Sequence, residues 1–268
     1  AVQMRSGVDV EGSRAQAMPL LREAAMAGAR LVATPEMTVR LDLNRARRNE
    51  ALARADLVAE QRAWGRTAEE LGVWILVGSV PVPADEGRVY NRSQLFAPDG
   101  RLAATYDKIN LFDVTLGGTE NYRESAGVAP GTRAVVTQGP MGVKLGLTIC
   151  YDIRFAGLYR ALARAGAEMI AAPAAFTVPT GRAHWETLLR ARAIETGAFV
   201  IAPAQGGVHE DGRATWGHSM IVGPWGQVLK TLPGDDPGMI VADCDLDEVA
   251  DARAKIPAWR DEAAFEAP

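Results

Sequence analysis

The sequence predicts an α/β fold, a layered sandwich with mixed sheets, and three observations lead there. Helical and strand periodicities alternate along the whole chain. Two turn signals, Pro98-Asp99-Gly100 and Pro224-Trp225-Gly226, sit between strand-like runs. They require antiparallel neighbours, which argues against a strictly parallel Rossmann sheet or barrel. The length of 268 residues, 48% of them hydrophobic, suits one domain, 1–268, burying about three quarters of its unfolded surface and needing no disulfide or metal to fold.

The elements follow in order. Ala1-Val2-Gln3-Met4 reads as a strand without an initiator Met, so the sequence is expected to begin inside its first element. Residues 14–28 carry Ala17, Leu20, Leu21, Ala24 and Ala25 at helical spacing, with Gly28 to cap them. A short strand, 31–33, stops at Thr34-Pro35, and a helix over about 50–71 stops at Gly72. The apolar run 73–77 is a strand, and alternation over 88–97 and 101–107 predicts a hairpin around Pro98-Asp99-Gly100. Residues 109–133 lack periodicity and read as a long loop, which in a compact domain points to function. Strand 143–149, helix 157–166, strand 168–172 and helix 182–197 come next. Short strands fill 198–203, 216–222, 227–232 and 238–243, and a polar, helix-like segment closes the chain.

Charge and cysteine content narrow the function classes. With 29 basic and 33 acidic residues the net charge is −4, which gives no reason to expect nucleic acid or an anionic membrane as partner. The cluster Arg40, Arg45, Arg47 and Arg48, broken by Asp42 and Glu50, reads as a solvated, ion-paired surface. Cys150 and Cys244 are far apart and lack a CxxC, so neither a disulfide framework nor a zinc site is expected. A reducing compartment, the cytoplasm, is the expected setting. No apolar stretch approaches the roughly 18 residues of a membrane span, and no signal-peptide pattern opens the sequence.

The chemistry centres on Cys150, where an apolar strand, Lys144 to Ile149, ends in the polar turn Tyr151-Asp152 before a helix. A nucleophile on such a turn is held rigidly beside backbone N–H groups that can receive an oxyanion. A following helix N-terminus would also lower the thiol pKa. A cysteine nucleophile needs a base, and His184, His209 and His218 are available. Two strand-end charges compete with them. Glu36, in Thr34-Pro35-Glu36-Met37, follows a buried strand, where desolvation would raise its pKa toward neutrality. Lys108, in Tyr106-Asp107-Lys108-Ile109, opens the long loop and could hold an oxyanion.

Glu36 in its P-E-M context, Lys108 in Y-D-K-I-N-L-F-D and Cys150 in C-Y-D-I-R-F stand in the order of the Glu–Lys–Cys triad of the nitrilase, or carbon–nitrogen hydrolase, superfamily. The chain resembles that family. The intervals of 72 and 42 residues match, and the likeness continues through Thr180–Glu186, Leu189–Glu195, Ala204–Gly206, Trp216–Met220 and Pro224–Gly226. The second half is most similar to the omega-amidase and deaminated-glutathione amidase branch.

The resemblance implies a four-layer αββα sandwich and subunits that pair into a dimer or higher even oligomer. It also implies Glu36 as general base and acid, Lys108 as oxyanion stabiliser and Cys150 as nucleophile. The family's additional glutamate maps onto Glu124, in Asn121-Tyr-Arg-Glu-Ser125, with Glu120 as competitor. Arg154, four residues after Cys150, maps to the position that holds a substrate's acid group, a task suited to the guanidinium fork. Phe176 maps to the pocket wall, and the Tyr151 N–H joins the oxyanion site.

The implied reaction is hydrolysis of a primary amide of a carboxylate-bearing small molecule through a Cys150 thioester, with no metal or organic cofactor. An N-carbamoyl-amine hydrolase, a nitrilase, a histidine-based thiol hydrolase and a non-catalytic relative are the alternatives. The Tyr151-Asp152 pair, where nitrilases resembling this family carry Trp and Glu, favours amides. Two departures from the branch pattern are Gly157, where an acid is common, and Glu11-Gly12-Ser13, where an Asn is usual.

Overall fold

The computed structural model describes every residue except Gly118, Thr119, Glu262, Phe265, Ala267 and Pro268, together with the side chain of Glu120. Two mixed sheets dominate. The four-stranded sheet runs Leu31–Ala33, Trp74–Pro83, Val89–Phe96, Leu102–Asp107, parallel at its first pairing and antiparallel thereafter. The six-stranded sheet has the order Val228–Thr231, Met220–Val222, Phe199–Ala202, Met169–Ala171, Lys144–Leu147, Val135–Gln138. Its central three strands are parallel and its outer pairings antiparallel.

The layers follow from period-two alternation in the strands. Along Trp74–Pro83, Ile75 and Val77 join a cluster with Leu21 of α1 (Val10–Met26) and Trp64 and Ala68 of α3 (Leu57–Leu71). Leu76, between them, points the other way and joins Leu95 and Tyr106 in one interior with Leu145, Leu147 and Ile170 of the six-stranded sheet. That interior also takes in Tyr159 and Leu162 of α4 (Ala156–Arg164) and Leu189 and Ala193 of α5 (Val178–Thr196). Helix, sheet, sheet, helix is the resulting order, as the resemblance implied. No helix among the described residues is long and apolar enough to cross a membrane.

The departures from expectation are local. The helix expected over 50–71 is two, α2 (Arg45–Arg54) and α3, because Ala55 is extended and Asp56 caps the second one by accepting from Ala59 N–H at 2.9 Å. The loop 109–133 contains a small hairpin, Asp113–Gly117 with Glu120–Arg123. Strand Val135–Gln138, which the sequence reading missed, lies at a sheet edge, where a short strand carries a weak signal. Gly206-Gly207, between two expected strands, pairs with Thr215-Trp216 in a short ladder of its own.

Candidate active site

Each candidate residue sits where a strand ends. Glu36 follows the strand Leu31–Ala33, whose exit is locked by the Thr34 N–H to Leu76 carbonyl bond at 2.9 Å and by the Thr34–Thr38 hydroxyl pair at 2.7 Å. Gly78 on the adjacent strand lets the Thr34 and Pro35 carbonyls approach so closely that any Cβ there would strike them. Lys108 ends Leu102–Asp107 and is tied by its N–H to the Asn91 carbonyl at 2.9 Å. Cys150 follows Lys144–Leu147, with its N–H on the Pro173 carbonyl at 2.8 Å and φ at +49°. Positive φ at a non-glycine residue is strained backbone of the kind found where a nucleophile is presented on a sharp turn. A 3₁₀ turn, Cys150–Arg154, follows, and no described carbonyl accepts from the Tyr151 N–H.

These ends converge from both sheets. The Lys108 ammonium donates to Glu36 Oε1 at 2.8 Å and to Glu124 Oε2 and Oε1 at 2.9 and 3.1 Å. Asn91 Nδ2 bridges the same two carboxylates, at 2.9 Å to Glu36 and 3.3 Å to Glu124. Glu36 Oε2 accepts from the Ala175 N–H at 2.9 Å, a bond that crosses between the sheets. The Cys150 thiol lines the same cavity as the Glu36 carboxylate, whose charge acts on it. Glu124 is fixed in turn by the Phe112 N–H at 2.6 Å. Lys108 is 2% exposed, Glu36 5% and Cys150 7%, so this is a buried ionic cluster whose charges are compensated by one another. Glu120, the competitor of Glu124, has its side chain outside the described residues.

Two electrostatic expectations are overturned. Burial alone would raise the Glu36 pKa, but the Lys108 ammonium, with hydrogen bonds from Lys108, Cys150 and Asn91, outweighs it and holds the carboxyl below its ordinary value. The Cys150 thiol moves the other way. Burial first, then the Glu36 charge, push it well above the usual thiol range, and the opposing pull of Lys108 is not enough. At rest the two are a neutral thiol and a carboxylate, not a thiolate and a carboxylic acid. Lys108 loses basicity through burial but regains more from Glu124 and Glu36, so it stays firmly charged.

Asp152, which the sequence marks as part of the polar turn after Cys150, ties that turn to the lysine loop. Fully buried, it accepts from Tyr106 Oη at 2.7 Å, from Ile149 N–H at 2.9 Å, and from the backbone and side chain of Asn110 at 2.9 and 2.8 Å. Asp152→Asn would turn one of its oxygens into a donor facing donors. The expected result is a stability loss of about 2–3 kcal/mol, read as a lower midpoint in denaturant unfolding, with a larger effect on kcat than on KM.

The histidines are engaged elsewhere. His184 Nδ1 lies 3.3 Å from the Arg154 guanidinium. His209 bonds Ser6 O and Thr215 Oγ1 at 2.9 and 2.7 Å, and His218 stacks on Trp216 at 4.2 Å. Cys244 is also apart from the cluster, its thiol pushed up to about 11 by burial and then by the Glu248 charge.

Glu36, Lys108, Glu124 and Cys150 line a cavity of about 230 Å³, and Tyr151 and Phe176 form part of its wall. Arg154 does not line it, contrary to expectation. Its guanidinium lies over the ring faces of Tyr151 and Phe176, at 5.8 and 5.4 Å from their centroids. Arg40, Arg45 and Arg48 line the cavity instead. The arginine cluster of the sequence is thus not a uniformly ion-paired surface. Among the described residues only Arg47 of the four ion-pairs, with Asp42 at 2.7 Å, while Arg48 is buried.

Comparison with known proteins agrees with this geometry. Residues 1–254 match the family model described as carbon-nitrogen hydrolase. A deaminated glutathione amidase of Synechocystis is 40% identical over 261 residues, covering 96% of this chain and 94% of that protein. Omega-amidase NIT2 of Xenopus tropicalis is 36% identical over 245 residues, 91% and 87% of the two chains. The crystal structure of the C. elegans NitFhit protein superposes with a TM-score of 0.87 at 33% identity, covering 96% of this chain; the chain spans 63% of that protein's length.

Proposed function

The chain belongs to the carbon–nitrogen hydrolase family, and from that premise we propose that it is a thiol amidase that cleaves a primary amide of a carboxylate-bearing small molecule to carboxylate and ammonia. Omega-amides of keto acids and deaminated glutathione are the substrates we put first. The observation that carries the reading is one cavity lined by the buried, neutral Cys150 thiol and by a Glu36 carboxylate that Lys108 keeps ionised.

The roles follow from proton and charge balance. Sulfur attacks the amide carbon while its proton passes to Glu36, the two motions coupled because neither a thiolate nor a protonated Glu36 is favoured at rest. The oxyanion takes the Tyr151 N–H and a Lys108 N–H. Lys108 has three donors; the one reaching Glu124 at 3.1 Å is the easiest to redirect. Glu36 hands the proton to the departing amine, and ammonia leaves. Glu36, with Glu124 beside it, then deprotonates the water that opens the thioester. Phe176 and the Tyr151 ring shape the wall, and Arg154 braces both rings from behind.

Further parts of the reading are the single domain 1–268, an even oligomer and the cytoplasm. Supporting the oligomer, the exposed Ile194 of α5 lies beside the turn bearing exposed Trp225. Supporting a reducing compartment, both cysteines are free thiols.

The test is an ammonia- and amine-release screen over omega-amides of keto acids, deaminated glutathione, N-carbamoyl amino acids and nitriles. Turnover is expected on the first two, with an acyl adduct on Cys150 detected by mass spectrometry. Turnover confined to carbamoyl compounds or nitriles would overturn the amidase reading.

A further inference from the structure

Resting on the amidase reading, we propose that Arg45 and Arg48 form the site that reads the substrate's carboxylate, in place of Arg154. Four observations lead there. Both residues line the cavity that holds Cys150. Their guanidinium groups crowd the same residue, since a Cβ on Gly127 would lie 2.7 Å from Arg45 Nε and 3.2 Å from an Arg48 terminal nitrogen.

Neither guanidinium has a carboxylate partner among the described residues. Arg48, 7% exposed, is held only by the neutral Gly127 carbonyl at 3.1 Å and Asn49 Oδ1 at 3.2 Å. Its burial lowers its pKa, and the adjacent Arg45 charge lowers it further, although Glu124 and Asp42 oppose this. The first turn of α2 contains no acid at all, although cations are disfavoured at the positive end of a helix.

Two neighbouring cations that repel each other, one of them buried, stand on the wall of a catalytic cavity without an ion-paired carboxylate among the described residues. A planar anion accepting from both forks satisfies every one of these features at once. Arg154 does not line the cavity, and its guanidinium lies over two ring faces and beside His184. Glu124 sits three residues before Gly127, so an acid held there is close to the amide-cleaving cluster.

The experiment compares kcat/KM for glutaramate with that for its uncharged isostere, in which an isopropyl group replaces the carboxylate. Wild type should prefer glutaramate. In Arg45→Gln and Arg48→Gln the ratio of the two should fall at least about tenfold, mostly through KM, and Arg48→Lys should restore it only in part. Arg154→Gln should lower both substrates together and leave the ratio in place. A ratio unchanged in both α2 variants, or one that collapses in Arg154→Gln, would overturn the assignment. Should Arg48→Gln fail to fold, Arg45→Gln on the exposed first turn decides alone. Wild-type protein that hydrolyses neither amide would sink the amidase reading itself, and this one with it.

Discussion

Cys150→Ser is expected to lower kcat by on the order of 10⁴-fold or more, while the folded protein keeps its unfolding midpoint. Serine fits the volume, and the positive-φ turn is unchanged. What fails is the proton transfer. A hydroxyl is far less acidic than a thiol, and Glu36, held below its ordinary pKa by Lys108, is too weak a base to activate it. The companion variant Cys244→Ala should keep most activity, because that residue is half-buried at the edge of the inter-sheet interior, apart from the cavity that Cys150 lines. Steady-state turnover, with mass spectrometry of trapped acyl-enzyme, distinguishes the two. An inactive Cys244→Ala beside an active Cys150→Ser would mean that the wrong thiol had been assigned.

Lys108→Met should be the most damaging change on both axes. Removing the one cation from a buried cluster leaves Glu36 and Glu124 uncompensated, at a cost of about 3–5 kcal/mol. It also removes an oxyanion donor and the charge that keeps the base ionised, so kcat should drop on the order of 10³-fold or further. The pH dependence of stability reports the cause. In the wild type Glu36 is depressed in the folded state, so its stabilisation is present above its unfolded pKa and lost as pH falls through the folded one. Lys108 is raised, so its share is present below its unfolded pKa and lost as pH rises through the folded one. Between those limits the wild-type contribution is flat. Without Lys108, burial governs Glu36 and its folded pKa rises. The variant should therefore recover stability relative to wild type as pH is lowered from about 8 to about 5, measured by denaturant midpoints. A constant difference across that range would show that Lys108 does not set the Glu36 charge.

The triad was legible because its three members each end a strand, and strand ends can be read from apolar runs stopped by polar residues. The charge states were not legible. Burial of Glu36 is visible in its neighbours, but the ammonium that reverses the effect of burial lies 72 residues away. The same holds for Asp152, which in sequence is one more polar residue in a turn, and whose Tyr106 partner comes from the opposite sheet. Asn91 shows only as an inward position on a strand, although its amide bridges both acids. Arg48 misled for a related reason. Four arginines near two acids resemble a solvated surface, and only the packing of α2 against Gly127 shows that one of them is inside.

Glu36 and Lys108 hang from the four-stranded sheet and Cys150 from the six-stranded one, with the Ala175–Glu36 and Tyr106–Asp152 bonds stitched across. The proposed nucleophile and base are thus carried by separate halves of the architecture and meet only along the seam between them. Neither sheet possesses the activity, even in latent form. Any local opening that parts the seam by an ångström or two would extinguish hydrolysis while nearly every helix and strand is still in place. Turnover is therefore a finer gauge of a closed interior than any measure of secondary structure.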